Sequence, residues 1–408
     1  MWMMFRLAWR NIWRHPRRTG LTLAAIVFSD ALLVWMIGLQ LGQYDLMIEY
    51  ALRVFTGNVQ VQAVGYHKNP QIYRTIPDAA ALAQRIRTKT GDEHVAVRGM
   101  GFALVSSKTR SYGAQIVGVQ PRFETKVSTI PGLVKQGRFL SGDHAEEAVV
   151  GSVMARNLKI HVGDELTILG SGKDGSFAAT VLPVVGIFSS GNNDMDRYFV
   201  DIPLGTFQDV FSMGHDAHVI AIGGVPAAQS ATLKEAIRRI VGNPKLVVLD
   251  WEQLIPGLKQ GIQADFVTAW FMYAVLVLLV AFSVLNTFLM SVLERTREFG
   301  IMLALGLTPG RVGRLVLLES LVMAVTGFVL GVAVGVLVTL YFHIYGFSYP
   351  GMAEIASQIN MPSVIYPLIN FTSVTLGPAV ILLATLLSAL YPAARLRRVR
   401  PVDAMETV

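Results

Sequence analysis

The chain has no cysteine, so neither a disulfide framework nor a thiolate ligand set is open to it, and any folded domain must hold by its apolar core. Charge is scarce as well. Only 15% of the 408 residues are charged against 52% hydrophobic, a balance too apolar for an ordinary soluble protein. No Gly-rich loop ends in Gly-Lys-Ser/Thr, the sequence that cradles nucleotide phosphates. The nearest approach, Gly170-Ser171-Gly172-Lys173-Asp174-Gly175, lacks the upstream glycine and the hydroxyl and reads as a hairpin turn. A His-Glu-x-x-His helix is missing too. His215, Asp216 and His218 precede a strand and read as a solvated turn; Asn192, Asn193, Asp194 and Asp196 lack the spaced Glu of a cation loop. The residues alone therefore support no catalytic, cofactor-binding or metal site.

What the chain has is length of apolar run. About 20 predominantly apolar residues cross the hydrocarbon of a bilayer, and four stretches qualify: Leu21 to Leu41, broken only by Asp30, then Phe266 to Leu293, Ser320 to Phe342 and Phe371 to Ala394. The first is longer than a signal-peptide core and ends in Ile37-Gly38-Leu39-Gln40-Leu41 without a small-x-small cleavage pattern, so it reads as a span. The layout expected is a segment 1–20, spans at 21–42, 266–293, 315–342 and 371–394, a large domain 43–265, connections at 294–314 and 343–370, and a tail 395–408.

Basic residues set the orientation, because Arg and Lys flanks stay on the cytoplasmic side. Residues 1–20, 291–314 and 395–408 together carry thirteen Arg against four acids, including Arg397, Arg398 and Arg400 in the tail, although the whole chain is only +7. The excess is a topology signal and not a nucleic-acid footprint, which needs basic residues clustered on a soluble face. Both termini are expected in the cytoplasm. The 43–265 domain and the 343–370 loop, which has no Lys or Arg, are expected outside. Ahead of the first span, Trp2, Phe5, Trp9, Ile12 and Trp13 fall on one helical stripe beside Arg6, Arg10, Arg14 and Arg17, the pattern of an interfacial helix on anionic lipid.

The outer segment is large enough for its own core. A strand at 57–62, a helix from Pro77-Asp78 through Ile86 and strands at 94–107 and 112–119 open it. A strand at 218–222, a helix at 227–241 and a strand at 245–249 close it. The two ends are expected to form one α+β subdomain, about 43–127 with 214–260. Short alternating runs between them, such as 162–169 and 179–188, predict an all-β insert at about 128–213.

Between the second and third spans lies Glu294-Arg295-Thr296-Arg297-Glu298-Phe299-Gly300-Ile301-Met302-Leu303-Ala304-Leu305-Gly306. As a helix, it places Phe299, Met302, Leu303 and Gly306 on one side, suited to a partner's groove, and lets Glu294 pair with Arg297. Inside the spans, Asp30 is costly and marks a dimer interface, a cavity entrance or a hydrated shallow site. Gly327, Gly331 and Gly335 repeat as small-x-x-x-small and permit close helix packing. Pro378 is expected to bend the fourth span.

This run of residues 294–306, the order of one span, a large outer domain and three further spans, and the Arg-rich tail after Tyr391-Pro392-Ala393-Ala394 resemble the MacB/FtsX-type ABC transporter permeases. Asn11 and the basic residues 14–18 resemble the segment leading into their first span, and the chain is most similar to the lipoprotein-release permeases of the LolC/LolE type. The resemblance implies an α-helical inner-membrane protein with a periplasmic α+β domain that is itself non-catalytic and works with two copies of a cytoplasmic ABC ATPase, which binds the ATP and Mg. It also implies a second permease copy or paralogue, contact with membrane lipid, and periplasmic partners such as a chaperone, a lipoprotein or an outer-membrane protein. Glu294, Arg295, Arg297, Glu298, Phe299, Gly300, Met302, Leu303 and Gly306 would then couple ATP hydrolysis to lipoprotein release or substrate export by mechanotransmission. The alternative it leaves is an FtsX-like regulator of a periplasmic partner such as a cell-wall hydrolase.

Overall fold

The computed structural model describes residues 2–14, 16–358 and 360–395. The expected tail beyond Arg395, with Arg397, Arg398 and Arg400, and the side chains of Trp2 and Phe5 in the Trp stripe lie outside the described residues. Among the described residues two compact units emerge, one from the stretches 2–44, 262–348 and 364–395 and the other from 45–261 and 349–363.

The first unit is helical. A short helix, Trp2–Ile12, precedes long helices at Pro16–Ala51, Pro256–Glu294, Pro309–Tyr345 and Phe371–Arg395. All four long helices have the length and apolarity to cross a membrane. They run past the expected span limits. The first continues to Ala51 and then tightens into a π turn, Leu52–Thr56, because no helix breaker intervenes before Gly57 at φ +74°. Pro256, suited to a helix's first turn, likewise starts the second helix ten residues before its apolar run. Residues 43–56 and 256–265 are thus helical, and residues 45–56 and 256–261 of them are grouped with the second compact unit.

The second unit contains strands β1 (Val59–Ala63), β2 (Val95–Ser106), β3 (Ser111–Val119), β4 (Val134–Gly137), β5 (Ala148–Gly151), β6 (Glu165–Ser171), β7 (Phe177–Phe188), β8 (Phe199–Pro203), β9 (Val219–Ile222) and β10 (Leu246–Asp250). On one side β10, β1, β9 and β2 follow one another, all antiparallel. Val59, Val61, Val95, Val97, Ile220 and Ile222 turn one face of these strands toward helices Ala79–Thr90 and Ser230–Val241 and share one core with Ile86 and Ile237. This α+β layer is built from both ends of the domain.

The insert closes into a continuous sheet only together with β2 and β3, which precede its expected bounds of 128–213. Strand β2 pairs with β3, β3 with β8, β8 with β5, β5 with β7, β7 with β6, and β6 returns to β2. Closure removes the exposed edges that an open sheet of short strands would leave. Short helices Ser152–Leu158, Asn193–Tyr198 and Leu204–Val210 punctuate the insert, and the rings of Phe207 and Phe211 stack 4.6 Å apart in its core. Gly99 and Gly118 make room for Phe207: a Cβ at either position would lie 2.3 or 2.4 Å from that side chain.

Candidate functional site

The 294–306 segment forms a short helix, Thr296–Ala304, that starts after a non-helical Arg295 (φ −101°, ψ 13°). Its inner side is committed to its own chain. Phe299 is 1% exposed and clusters with Val292, Val312, Val316 and Ala393, while Met302 and Leu303 are half-buried against the same cluster. The expectation that Phe299, Met302 and Leu303 enter a partner is therefore corrected, because four buried residues from three separate helices already occupy that side. What faces outward is Arg297, Ile301, Ala304, Leu305 and Gly306, with Ile301 48% and Leu305 78% exposed. Gly300 is buried.

A network of charges holds this helix in place. Arg295 is 6% exposed and donates from Nη1 to Glu319 Oε2 at 2.8 Å and from Nε to Glu298 Oε2 at 3.1 Å. Asn11 Nδ2 donates to the other oxygen of Glu319 at 2.8 Å. Arg14 pairs with Glu298 at 3.2 Å, and Arg18 pairs with Glu294 and donates from Nη2 to Ser291 Oγ at 2.7 Å. The Arg295 guanidinium also lies 5.1 Å from the Phe299 ring centroid. Glu294 therefore meets Arg18 in place of the expected Arg297, which has no ion pair among the described residues. A buried guanidinium sharing two carboxylates is costly to disturb, since removing one partner strands the others.

Within the helical unit Asp30 is 0% exposed, which removes it from any outer, dimer-facing surface of this chain. It lies against the third long helix, where a Cβ on Gly331 would come within 2.5 Å of Asp30 Cβ. Gly327 meets Ile26 and Gly335 meets Val34 and Ala31 in the same way, at 2.5, 2.8 and 2.9 Å. The three glycines thus take one face of the first helix at every fourth residue. Pro378 lies inside the helix Phe371–Arg395, which continues through it.

A second site, missed by sequence reasoning, lies where the first long helix ends. Helix C-termini leave carbonyls unpaired, but each carbonyl from residue 52 to 56 has a donor. Leu52 O accepts from Gly57 N at 2.8 Å and Arg53 O from Thr129 N at 2.9 Å. Val54 O accepts from Ser128 Oγ at 2.7 Å, Phe55 O from Arg98 Nη1, and Thr56 O from Gln60 Nε2 at 2.7 Å. Arg98 is 0% exposed, stacks 4.1 Å from the Phe55 ring centroid and binds Glu124 through Nε at 3.1 Å and Nη2 at 2.6 Å. Nearby Asp201, 1% exposed, has its carboxyl pushed up to about 8 by burial, reinforced by the Glu124 charge and opposed by that of Arg98. The only sequence signal was an arginine, Arg98, as the one charged residue of a mostly apolar strand.

The polar turns have structural partners. His218 is fully buried, accepts from Met100 N at 2.9 Å through Nδ1 and faces Ile72 O at 3.0 Å through Nε2. That arrangement assigns the ring proton to Nε2. Burial lowers its pKa to about 4. Asp216 accepts from Thr75 at 2.6 Å and from Lys173, Asn192 caps the helix Asn193–Tyr198, and Asp196 accepts from Ser152, Ser189 and Ser190. Among the described residues no group of three or more His, Asp or Glu side chains has the arrangement of a metal site.

Four long apolar helices joined to an α+β domain with a closed β insert define a membrane protein with a periplasmic-type domain. Residues 19–240 match the MacB-like periplasmic core domain family and residues 270–401 the FtsX-like permease C-terminal family. The chain belongs to the MacB/FtsX-type permease family and is an ABC transporter permease of the MacB/LolC type. It is 23% identical over 412 aligned positions to the macrolide export ATP-binding/permease protein MacB of Bdellovibrio bacteriovorus, covering 95% of this chain and 59% of that protein. It is 23% identical over 312 positions to the lipoprotein-releasing system transmembrane protein LolC of Xylella fastidiosa, covering 72% of this chain and 73% of LolC. The periplasmic region of MacB from Actinobacillus actinomycetemcomitans aligns with a TM-score of 0.37 at 15% identity, over 52% of this chain and 94% of that one.

Proposed function

We propose that this chain is a non-catalytic permease subunit that receives motion from a separate cytoplasmic ABC ATPase through the helix Thr296–Ala304 and passes it to its periplasmic domain. The observation that carries the reading is the division of that helix: one side anchored by Phe299 and the Arg295 network, the other presenting Arg297, Ile301, Ala304 and Leu305. Anchoring supports coupling, because a push on the exposed side meets a buried, charge-braced support instead of a loose loop. Arg enrichment around this connection and in the two terminal segments supports an inner-membrane protein with both termini cytoplasmic. ATP and Mg would then be bound by the ATPase, two copies serving a pair of permeases. The LolC and LolE relatives support lipoprotein release and the MacB relatives support export as the work performed.

The test is copurification of an ABC ATPase with the full-length chain from its native membranes. Leu305→Asp is expected to lower the ATPase recovered by about tenfold or more, as loss of an interface anchor does, with thermal stability retained because Leu305 is exposed. Phe299→Asp is expected to lower stability itself. Full ATPase recovery with a stable Leu305→Asp protein would overturn the reading.

A further inference from the structure

Strand β2 forks. It pairs with β9 only as far as Arg98 opposite Val219, and with β6 only from Leu104 opposite Leu169. Over Met100 to Phe102 the strand borders a groove of about 690 Å³, a size that suits a small organic ligand. Phe55, Met100 and Phe102 give it apolar walls, and Gln60, Gln62 and Gln115 give it amides. None of its lining residues is Asp, Glu, Lys or Arg. Apart from His67 on the rim, such a lining offers nothing to balance a charge on a ligand.

The amides are ordered in one direction. Thr56 O can only accept, so Gln60 must turn its NH2 toward it, at 2.7 Å. Gln60 Oε1 is then left to accept from Gln62 Nε2, also at 2.7 Å. The chain of bonds ends on Gln62 Oε1, which is buried and has no hydrogen-bond partner among the described residues, in a side chain only 3% exposed. Because a backbone carbonyl fixes the direction, exchanging the N and O of Gln62 does not resolve this: it would set two acceptors face to face. A buried acceptor without a donor is costly, and Gln62 lines the groove.

The geometry points to a ligand site in the β2 fork for an uncharged amphiphile that lays an apolar body on Phe55, Met100 and Phe102 and donates an N–H or O–H to Gln62 Oε1. This goes beyond the coupling role, which uses none of the groove's ligand-facing atoms. Full-length protein carrying His67→Cys tests it, since His67 is exposed on the groove rim and the natural chain has no cysteine to compete. The rate of maleimide labelling is read against rising 4-phenylbutanamide, and against N,N-dimethyl-4-phenylbutanamide, which keeps the apolar body and loses the N–H. The primary amide is expected to slow labelling saturably, and the dimethyl amide to need about tenfold more for the same effect. Adding Gln62→Met should erase that difference. Absence of saturable protection by the primary amide, or equal protection by the two amides in the His67→Cys protein, would overturn the proposal without touching the ATPase-coupling reading.

Discussion

Asp201 shows how much a single buried group can set the behaviour of the outer domain. Its folded-state pKa stands near 8 against a usual value near 3.8, so between those values the folded protein holds a proton that the unfolded chain releases. The stabilising contribution is whole below about pH 4 and is lost as pH rises to 8. Asp201→Asn keeps the shape and removes the titration. Thermal unfolding of the full chain between pH 5 and 9 should therefore fall less steeply for the variant, with an advantage on the order of a few kcal/mol at the alkaline end. A parallel pair of curves would show that Asp201 is not the group responsible. Phe299 teaches the complementary lesson: its spacing with Met302 and Leu303 identified an apolar side but not what covers it. The residues that do, Val312, Val316 and Ala393, come from elsewhere in the sequence, and only packing brings them there.

Among the elements, the first long helix is the one whose legibility divides most sharply. Its apolar run was readable from composition, and so was the glycine stripe that it meets on the third long helix. Its continuation to Ala51 was not, because residues 43–51 lack the apolar pattern of a span and read as the start of a domain. Nor was the capture of its last carbonyls by Ser128, Thr129 and Arg98, which depends on long-range folding. If the Arg98 and Glu124 pair stabilises this capture, Arg98→Met leaves Glu124 buried and unpaired and should cost about 3–5 kcal/mol. Arg98→Met combined with Glu124→Leu should recover most of that loss in chemical unfolding of the full chain. A double variant as unstable as the single one would mean that the lost contact to Phe55 O, and not the stranded carboxylate, sets the cost. Strand β2 is a similar case: it was legible as a strand, but its two partners on one edge, which close the insert and open the fork, follow from the register of β6 and β9.

At the scale of the molecule, four helices of membrane length, an α+β domain assembled from both ends of the outer segment and a β-rich insert all follow from apolar runs and alternation visible in the sequence. The candidate coupling segment was legible as a position. The side it leaves exposed was not, since Glu319, which braces the other side, had not been singled out, and Asn11, Arg14 and Arg18 had been readable only as part of the segment leading into the first span. Coupling of a cytoplasmic ATPase through that helix requires its exposed side and the outer domain to lie in different compartments. Single cysteines at Leu305 and Phe177, exposed by 78% and 77%, can be added to this cysteine-free chain and exposed to a membrane-impermeant maleimide in cells whose outer barrier alone has been opened. Labelling at Phe177→Cys before the inner membrane is breached, and at Leu305→Cys only afterwards, is the predicted result; equal labelling of both before the breach would contradict it.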